Sequence, residues 1–213
     1  WLNGLKVNLA RKPQGNDRAQ AKAIYEGVCD VALANNYYMG KMVTNKKKPE
    51  QQDWAKSIRL VYLDQDGLGQ HMNISGAAVV KGAKNRAAAV KLIEFLSGDI
   101  AQKMYADMNH EYPVKSGVKR SALVQSWGAF KMDTLNIEAI AKNRPAASKL
   151  VDKVGFNDGP NKFDVHSQRN GMGNKNCRHK LPSPRLLIVL FGSEIFVDGI
   201  LTVGPLVHFL SPR

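Results

Sequence analysis

Two adjacent tyrosines, Tyr37 and Tyr38, are the side chains whose position in this sequence most suggests chemistry. They stand in the stretch NNYYMGKM, residues 35–42, after the apolar run VCDVALA. Neighbouring residues on an extended strand point to opposite faces, so two adjacent phenols converge only where the strand has ended and the backbone turns. The pair is therefore either a site made of two phenol oxygens or an aromatic pair that packs at a strand end.

Asparagines near the tyrosines are candidate contacts for a small anion. Asn35 directly precedes Asn36 and the pair, and Asn16 stands where a helix is expected to begin. Free backbone N–H groups and the helix dipole favour anions at such a position. Asparagine also forms turns well, so both residues have a purely structural alternative. We name Asn16 and Asn35 as the anion-binding candidates and expect Asp17 to act only as a cap.

A helix followed by a strand must position these residues. Asp17 is a good N-cap, Gln20 follows three residues later as in a capping box, and Gly27 stops the helix. The apolar run 28–34 then predicts a strand. In open α/β sheets ligands bind outside the carboxyl ends of the strands, and the tyrosine pair falls at such an end.

The remainder of the first 160 residues alternates between helical and strand patterns, which indicates an α/β fold. Helices are expected at 49–57, after the caps Asn85 and Ser97, and at 121–127, 135–143 and 145–154; strands are expected at 58–63 and 77–81. The helix after Ser97 should turn Ala101, Met104, Tyr105 and Met108 inward.

Charge and cysteine content restrict the class of function. The 213 residues carry a formal net charge of +13, which favours anionic partners. The basic residues are scattered and no nucleic-acid motif is present, so we expect no nucleic-acid partner. Cys29 and Cys177 lack the spacing of a metal motif. His71 and His110 lack a second ligand at helical spacing, so we expect surface or hydrogen-bonded histidines rather than metal ligands. No nucleophile–base pair appears, so an enzyme is not expected.

The character of the sequence changes near Pro160. Residues 161–184 are polar and irregular, and the following run, RLLIVLFGSEIFVDGILTVGPLVHFL, is strongly apolar. A membrane-spanning helix needs about 20 mostly apolar residues, and this run is interrupted by Glu194 and Asp198, so we expect no stable membrane insertion. We divide the chain into a body, 1–160, and an unrelated tail, 161–213, such as translation past a frameshift or a spliced end would produce.

The body resembles the C-terminal half of bacterial periplasmic ferric-ion-binding proteins, the solute-binding components of iron ABC transporters. The stretches that carry the resemblance are GLKVNLARKPQGNDRAQAKAIYEGVCDVALANNYYMGKM, HMNISGAAVVKGAKNRAAAVKLIEFLSGDIAQKMYADMNHEYPVK and ASKLVDKVGFNDGP. The resemblance implies an α/β fold of the two-lobed, type II periplasmic solute-binding class, truncated so that the N-terminal half is absent. The tail shows no such resemblance.

The resemblance also implies a function and a ligand set. Paired tyrosines are iron ligands in that family and fall here on Tyr37 and Tyr38, with further ligands from the N-terminal half and often a synergistic anion. The expected cargo is Fe³⁺, the expected location is the periplasm, and the expected partner is an ABC transporter permease in the inner membrane. Alternatives are a solute-binding protein for another small anion and a basic nucleic-acid-binding module.

Phenolate oxygen suits Fe³⁺ because this ion is small, highly charged and hard. A free tyrosine has a pKa near ~10, so the metal must displace the phenol proton at neutral pH. Binding is therefore expected to release protons and to weaken as the pH falls. Two phenolates cancel two of the three charges, and an anion or a carboxylate cancels the third.

Overall fold

The computed structural model of the chain describes residues 1–160, 185–190 and 200–201, and its helices and strands alternate as the patterns predict. In chain order the elements are α1 (Leu2–Val7), α2 (Asp17–Tyr25), β1 (Val31–Asn35), α3 (Tyr37–Val43), α4 (Glu50–Lys56), β2 (Ile58–Val61), β3 (Ala78–Val79), α5 (Arg86–Leu96), α6 (Asp99–Met104) with a π-helical turn (Tyr105–Asn109), α7 (Ala122–Gln125), α8 (Ile137–Val154), a 3-10 turn (Phe156–Asp158), β4 (Arg185–Leu190) and β5 (Ile200–Leu201).

The described strands form two sheets. The larger sheet has the order β1-β4-β2, and β4 runs parallel to both of its neighbours. The smaller sheet is an antiparallel pair of β3 and β5. The strand β4 belongs to the segment 161–213 that sequence analysis separates from the body, so a part of that segment lies inside the sheet that carries the tyrosine pair.

One apolar core cluster lies between the larger sheet and the helices α2, α3 and α4. Its buried members among the described residues are Ala21, Ile24, Ala34, Met42, Ala55 and Ile58. The half-buried Cys29 and Trp54 pack against this cluster. The cluster holds α2 and α3 against β1, so the elements on both sides of the tyrosine pair share one core.

The start of α2 differs from the expectation in one residue. Asn16, not Asp17, is the N-cap, and its Oδ1 accepts a hydrogen bond of 3.1 Å from the Ala19 backbone N–H. Asp17 is the first helical residue, and its carboxylate reaches across to Asn35. Both residue types cap well, and only the tertiary partner of Asp17 decides between them.

The strand after α2 begins later than predicted. Gly27 adopts a positive φ of 76° and ends the helix as expected, but Val28 and Cys29 lie in the connection and β1 spans Val31–Asn35. The short helix α3 follows after one residue, where sequence analysis expects only a turn. Because β1 begins and ends later than predicted, Asn35 lies in the strand. Both tyrosines lie in the helix that follows.

The C-terminal helices differ more strongly. The predicted helices 135–143 and 145–154 are one helix, Ile137–Val154, with Pro145 inside it. Proline removes one internal hydrogen bond at a cost of about 3 kcal/mol. Flanking alanine, lysine and leucine residues favour helix, and Asn136 and Gly155 cap the two ends, so the helix continues through the proline.

Two of the four residues that we expect on the inward face of the helix after Ser97 are exposed. Ala101 is buried, but Met104 and Met108 are 49% and 70% exposed. They border an open apolar groove between α5 and α6, together with Phe95, Leu96, Tyr105 and Asn109. No described residue covers this groove. Helical periodicity therefore identifies the apolar face of the helix correctly, but the prediction that this face is buried is wrong. No described helix is both long enough and apolar enough to cross a membrane.

Candidate metal centre

The tyrosine pair lies at the C-terminal end of β1, as the sequence predicts. β1 ends at Asn35, and Tyr37 and Tyr38 are the first two residues of α3. Their ring centroids are 4.2 Å apart, and the ring planes are inclined by 31°. The Tyr38 phenol is close enough to contribute to the raised pKa of Tyr37. The structure therefore places two phenol rings side by side at a strand end.

The environment of Tyr37 keeps its phenol protonated in the protein without metal. The side chain is buried, and burial raises its pKa far above the ordinary value of 10.0. The Tyr38 hydroxyl and the carboxylates of Asp17 and Glu111 raise the pKa of Tyr37 further. The same negative potential that opposes loss of the proton favours a cation at this oxygen. A metal ion that binds here must supply enough energy to displace a tightly held proton.

Each ring of the pair also has a cationic side chain over it. The Lys41 Nζ atom lies 4.9 Å from the centroid of the Tyr37 ring, and the Arg18 Cζ atom lies 4.9 Å from the centroid of the Tyr38 ring. Such contacts stabilise a ring orientation by about 0.5–1 kcal/mol at exposed sites and more where the cation is desolvated. Burial lowers the pKa of Lys41. The two cations therefore hold the rings from α3 and from α2.

The two predicted anion contacts, Asn16 and Asn35, make structural hydrogen bonds in this fold. The Oδ1 atom of Asn16 caps α2. The backbone N–H and the side-chain Nδ2 of Asn35 donate to one carboxylate oxygen of Asp17, over 2.7 and 3.1 Å. The pKa of Asp17 is raised, and burial of its carboxylate is the largest cause. Asn16 is exposed and Asn35 is buried, and an anion-binding role for either stays a prediction.

Two buried polar groups that sequence analysis does not select as anion contacts lie next to the pair. The Nδ2 atom of Asn36 and the Nε atom of Arg18 are buried and make no hydrogen bond with any described residue. Both are donors, whereas the buried Oδ1 of Asn35, which also lacks a hydrogen bond within the described part, is an acceptor. Buried donors without partners suit an anion better than buried acceptors do. Burial alone distinguishes these two donors from other polar side chains, and no pattern in the sequence indicates that burial.

A second aromatic group packs beside Asn36. The hydroxyls of Tyr62 and Tyr112 are 3.3 Å apart, and burial is the main cause that raises the pKa of Tyr112 far above 10. Phe130 stacks on Tyr62 at 4.2 Å, and the Arg120 guanidinium lies 4.4 Å from the centroid of the Tyr112 ring. The Asn36 amide is close enough to Tyr112 to oppose the rise of its pKa.

The two histidines serve as structural contacts, which is the interpretation that sequence analysis favours. The Nδ1 atom of His71 lies 2.8 Å from Oδ2 of Asp133. His110 is buried against α3, with its Nε2 atom 3.4 Å from the Thr44 hydroxyl, and burial lowers its pKa. Among the residues that the structure describes, no group of three or more His, Cys, Asp or Glu could hold a metal ion.

Comparison with known proteins identifies the relatives of this chain. No family profile matches it. Iron uptake protein A1 of Synechocystis is 42% identical over 156 residues, which are 73% of this chain and 43% of that protein. The solved apo ferric ion-binding protein A of Pasteurella haemolytica is 52% identical, with a TM-score of 0.66 over 74% of this chain and 48% of its own. This chain is a homologue of the ferric ion-binding proteins.

The same relationship assigns the fold. A Trichodesmium protein solved in complex with iron and citrate ligands is 36% identical, with a TM-score of 0.63 over 73% of this chain and 49% of its own. The described fold is therefore part of the type II periplasmic solute-binding fold that the resemblance implies. The chain spans about half of the length of the relatives that it matches.

Proposed function

We propose that this chain binds Fe³⁺ through the phenolate oxygens of Tyr37 and Tyr38. The observation that carries the proposal is the geometry of the pair, whose ring centroids lie 4.2 Å apart at the end of β1. The two phenols are close enough for Tyr38 to contribute to the raised pKa of Tyr37. Homology to proteins named for ferric iron supports the choice of metal.

The donor set fits a hard trivalent cation and does not fit a softer divalent one. Phenolate oxygens are hard anionic ligands, and the described residues offer no His or Cys cluster beside them. Two phenolates leave one positive charge on Fe³⁺. We propose that a small anion cancels this charge. Asn16 and Asn35 are its predicted contacts, and the buried donors of Asn36 and Arg18 are further candidates.

The wider role that we propose is iron capture in the periplasm and delivery to an ABC transporter permease of the inner membrane. It rests on the relatives, among them an iron uptake protein and a protein solved with iron and citrate. We propose a binding protein and not an enzyme, with neither nucleic acid nor a membrane as its partner. Residues 1–160 would form the iron-binding body, whose length is close to the 156 aligned residues of the Synechocystis relative.

Iron loading tests the ligand assignment directly. Ferric phenolates have a visible charge-transfer band, so we expect a coloured complex when the chain is loaded with Fe³⁺ in the presence of citrate. Tyr37→Phe and Tyr38→Phe should each weaken the band, and the double variant should abolish it. Tyr25→Phe is a matched control, because Tyr25 lies on α2 and is half exposed. No band from the unmutated chain, or an unchanged band from the double variant, would refute the assignment.

Citrate alone separates iron binding from simple anion binding. An iron-binding protein should gain thermal stability with Fe³⁺ and citrate together by more than with citrate alone. Equal shifts in both conditions would support a solute-binding protein for organic anions. Binding to a DNA oligonucleotide that weakens steeply with salt would support the nucleic-acid alternative instead.

A further inference from the structure

The strand β4 occupies a position that the rest of the larger sheet cannot fill. β1 and β2 are not neighbours, because β4 lies between them and pairs with both. Five residue pairs join β1 to β4, from Val31 with Leu186 to Asn35 with Leu190, and four join β2 to β4, from Ile58 with Arg185 to Val61 with Ile188. Without β4, two facing strand edges would carry unpaired backbone N–H and C=O groups.

The sequence of β4 suits a central position. Strands that are covered on both sides in parallel sheets read as continuous apolar runs, and Leu186–Leu190 is such a run, LLIVL. The segment comes from residues 161–213, which sequence analysis expects to be unrelated to the ferric-ion-binding proteins. The aligned part of the Synechocystis relative covers 156 of the 213 residues, which leaves room for a segment of this length outside it.

We propose that Arg185–Leu190 is a structural strand that this chain inserts from its own C-terminal segment to join β1 and β2. The facing edges of β1 and β2 are the acceptor surface, and the occupant is this segment of the same molecule. Its last residue, Leu190, pairs with Asn35, which one residue, Asn36, separates from the tyrosine pair. The strand therefore also holds the carboxyl end of β1, and this consequence for the metal centre rests on the proposed function.

Two proline variants in the same C-terminal segment test the insertion. Leu187 pairs with Ala32 of β1 and with Leu60 of β2, whereas Leu201 in β5 pairs with Ala78 of β3. Proline cannot donate to a ladder and is not tolerated in a central strand. We expect Leu187→Pro to accelerate amide hydrogen exchange in β1 and β2 by about tenfold or more, and Leu201→Pro to leave both unchanged.

Several outcomes would overturn the proposal. They are unchanged exchange of β1 and β2 in Leu187→Pro, equal acceleration by Leu201→Pro, and rapid exchange of the same amides in the unmutated chain. The last measurement needs no variant, so the proposal stays testable if Leu187→Pro does not fold. A dimer in analytical ultracentrifugation that becomes monomeric in Leu187→Pro would show that a second copy donates the strand, which would overturn the intramolecular assignment.

A milder variant tests the link to the metal centre. Leu190→Pro removes only the last pair of the ladder, so we expect faster exchange at Asn35 and in the first turn of α3 but not at Ile58. If the unmutated chain gives the iron charge-transfer band, Leu190→Pro should weaken it and Leu201→Pro should not. The exchange measurements need no iron, so failure of the iron proposal and failure of the strand proposal are distinguishable.

Discussion

The sheet region, residues 17–61, and the helical region, residues 86–154, bury their apolar side chains to very different degrees. All six members of the described core cluster lie in the sheet region. Within the described chain, neither α5 nor α8 of the helical region has a buried residue. Its exposed large apolar side chains are Val90, Phe95, Ile100, Met104, Met108, Val114, Met132, Leu135, Ile137 and Leu150.

The difference teaches where the stability of the candidate site comes from. Tyr37 and Tyr38 stand on α3, which shares the core of the sheet region, and their neighbours Arg18 and Lys41 belong to the same region. The helical region reaches the site through the loop after the π-helical turn, which brings His110 onto Gly40. The site should therefore depend strongly on the first core and weakly on the second region.

The largest expected effect is loss of a core side chain of the sheet region. Ile24 is fully buried, and Ile24→Ala should lower the free energy of unfolding by about 2–4 kcal/mol, from lost burial and the cavity that remains. Leu150→Ala in α8 is the matched change in the helical region, and because Leu150 is 50% exposed it should cost less than about 1 kcal/mol. Urea unfolding measures both, and equal losses would contradict the comparison.

The contact between the two regions should break when Gly40 gains a side chain. A Cβ at this position would lie 2.6 Å from the Cβ of His110, so Gly40→Ala must displace the loop at His110. We expect a loss of about 1–3 kcal/mol of stability, as for other overpacked sites. Gly4→Ala in α1 meets no atom within 4 Å and should be neutral or stabilising.

A double variant shows whether the Gly40 effect comes from His110. If the loss is steric, His110→Gly, which removes the Cβ as well as the ring, should restore most of the stability of Gly40→Ala, and the two changes should not be additive. Additive losses in urea unfolding would mean that Gly40 serves α3 by itself and that His110 does not join the regions.

Alkaline pH should expose the burial of Tyr37 in the iron-free protein. The pKa of Tyr37 in the folded protein is raised above its ordinary value of 10.0, so this group's contribution to stability is present below pH 10 and is lost as the pH rises further. The loss per tyrosine is at most about 1.4 kcal/mol for each pH unit. Tyr37→Phe should flatten the fall of stability between pH 10 and 11, measured by urea unfolding.

Tyr25→Phe is the control for this pH dependence, since Tyr25 lies on α2 and is half exposed. Its curve should follow that of the unmutated protein. If both variants flatten the curve equally, the burial of Tyr37 is not the cause.

The smallest expected effect concerns the cations over the tyrosine rings. Lys41→Met and Arg18→Met should each lower stability by about 0.5–1 kcal/mol through the lost cation–π contact. Lys22→Met is a control on α2, because the Lys22 Nζ atom lies 5.9 Å from the Trp54 ring centroid and the side chain is half exposed, paired with Glu26 on the same helix. A loss from Lys22→Met as large as from Arg18→Met would argue against a special role for the two ring contacts.

Local patterns predicted the elements of the body more reliably than their boundaries and their burial. The helix after Asn16, the strand before the tyrosines and the long helix after Asn85 all appear. The choice between Asn16 and Asp17 as cap, and the passage of α8 through Pro145, were wrong in sequence analysis. For the cap, two local solutions differ by little free energy, so the distant partner Asn35 decides between them. For α8, the helix-forming residues on both sides of Pro145 and the caps at both ends outweigh the cost of the proline.

The sequence by itself determined the α/β order, the family resemblance and the position of two adjacent phenols after a strand, because periodicity and adjacency are properties of neighbouring residues. Only the tertiary structure decided that the two rings meet, that Asp17 holds Asn35, and that Tyr112 lies beside Asn36. It also decided that a strand from residues 185–190 separates β1 from β2. Apart from the ring pair, these contacts join residues that are distant in the chain, and burial and backbone pairing in three dimensions select them.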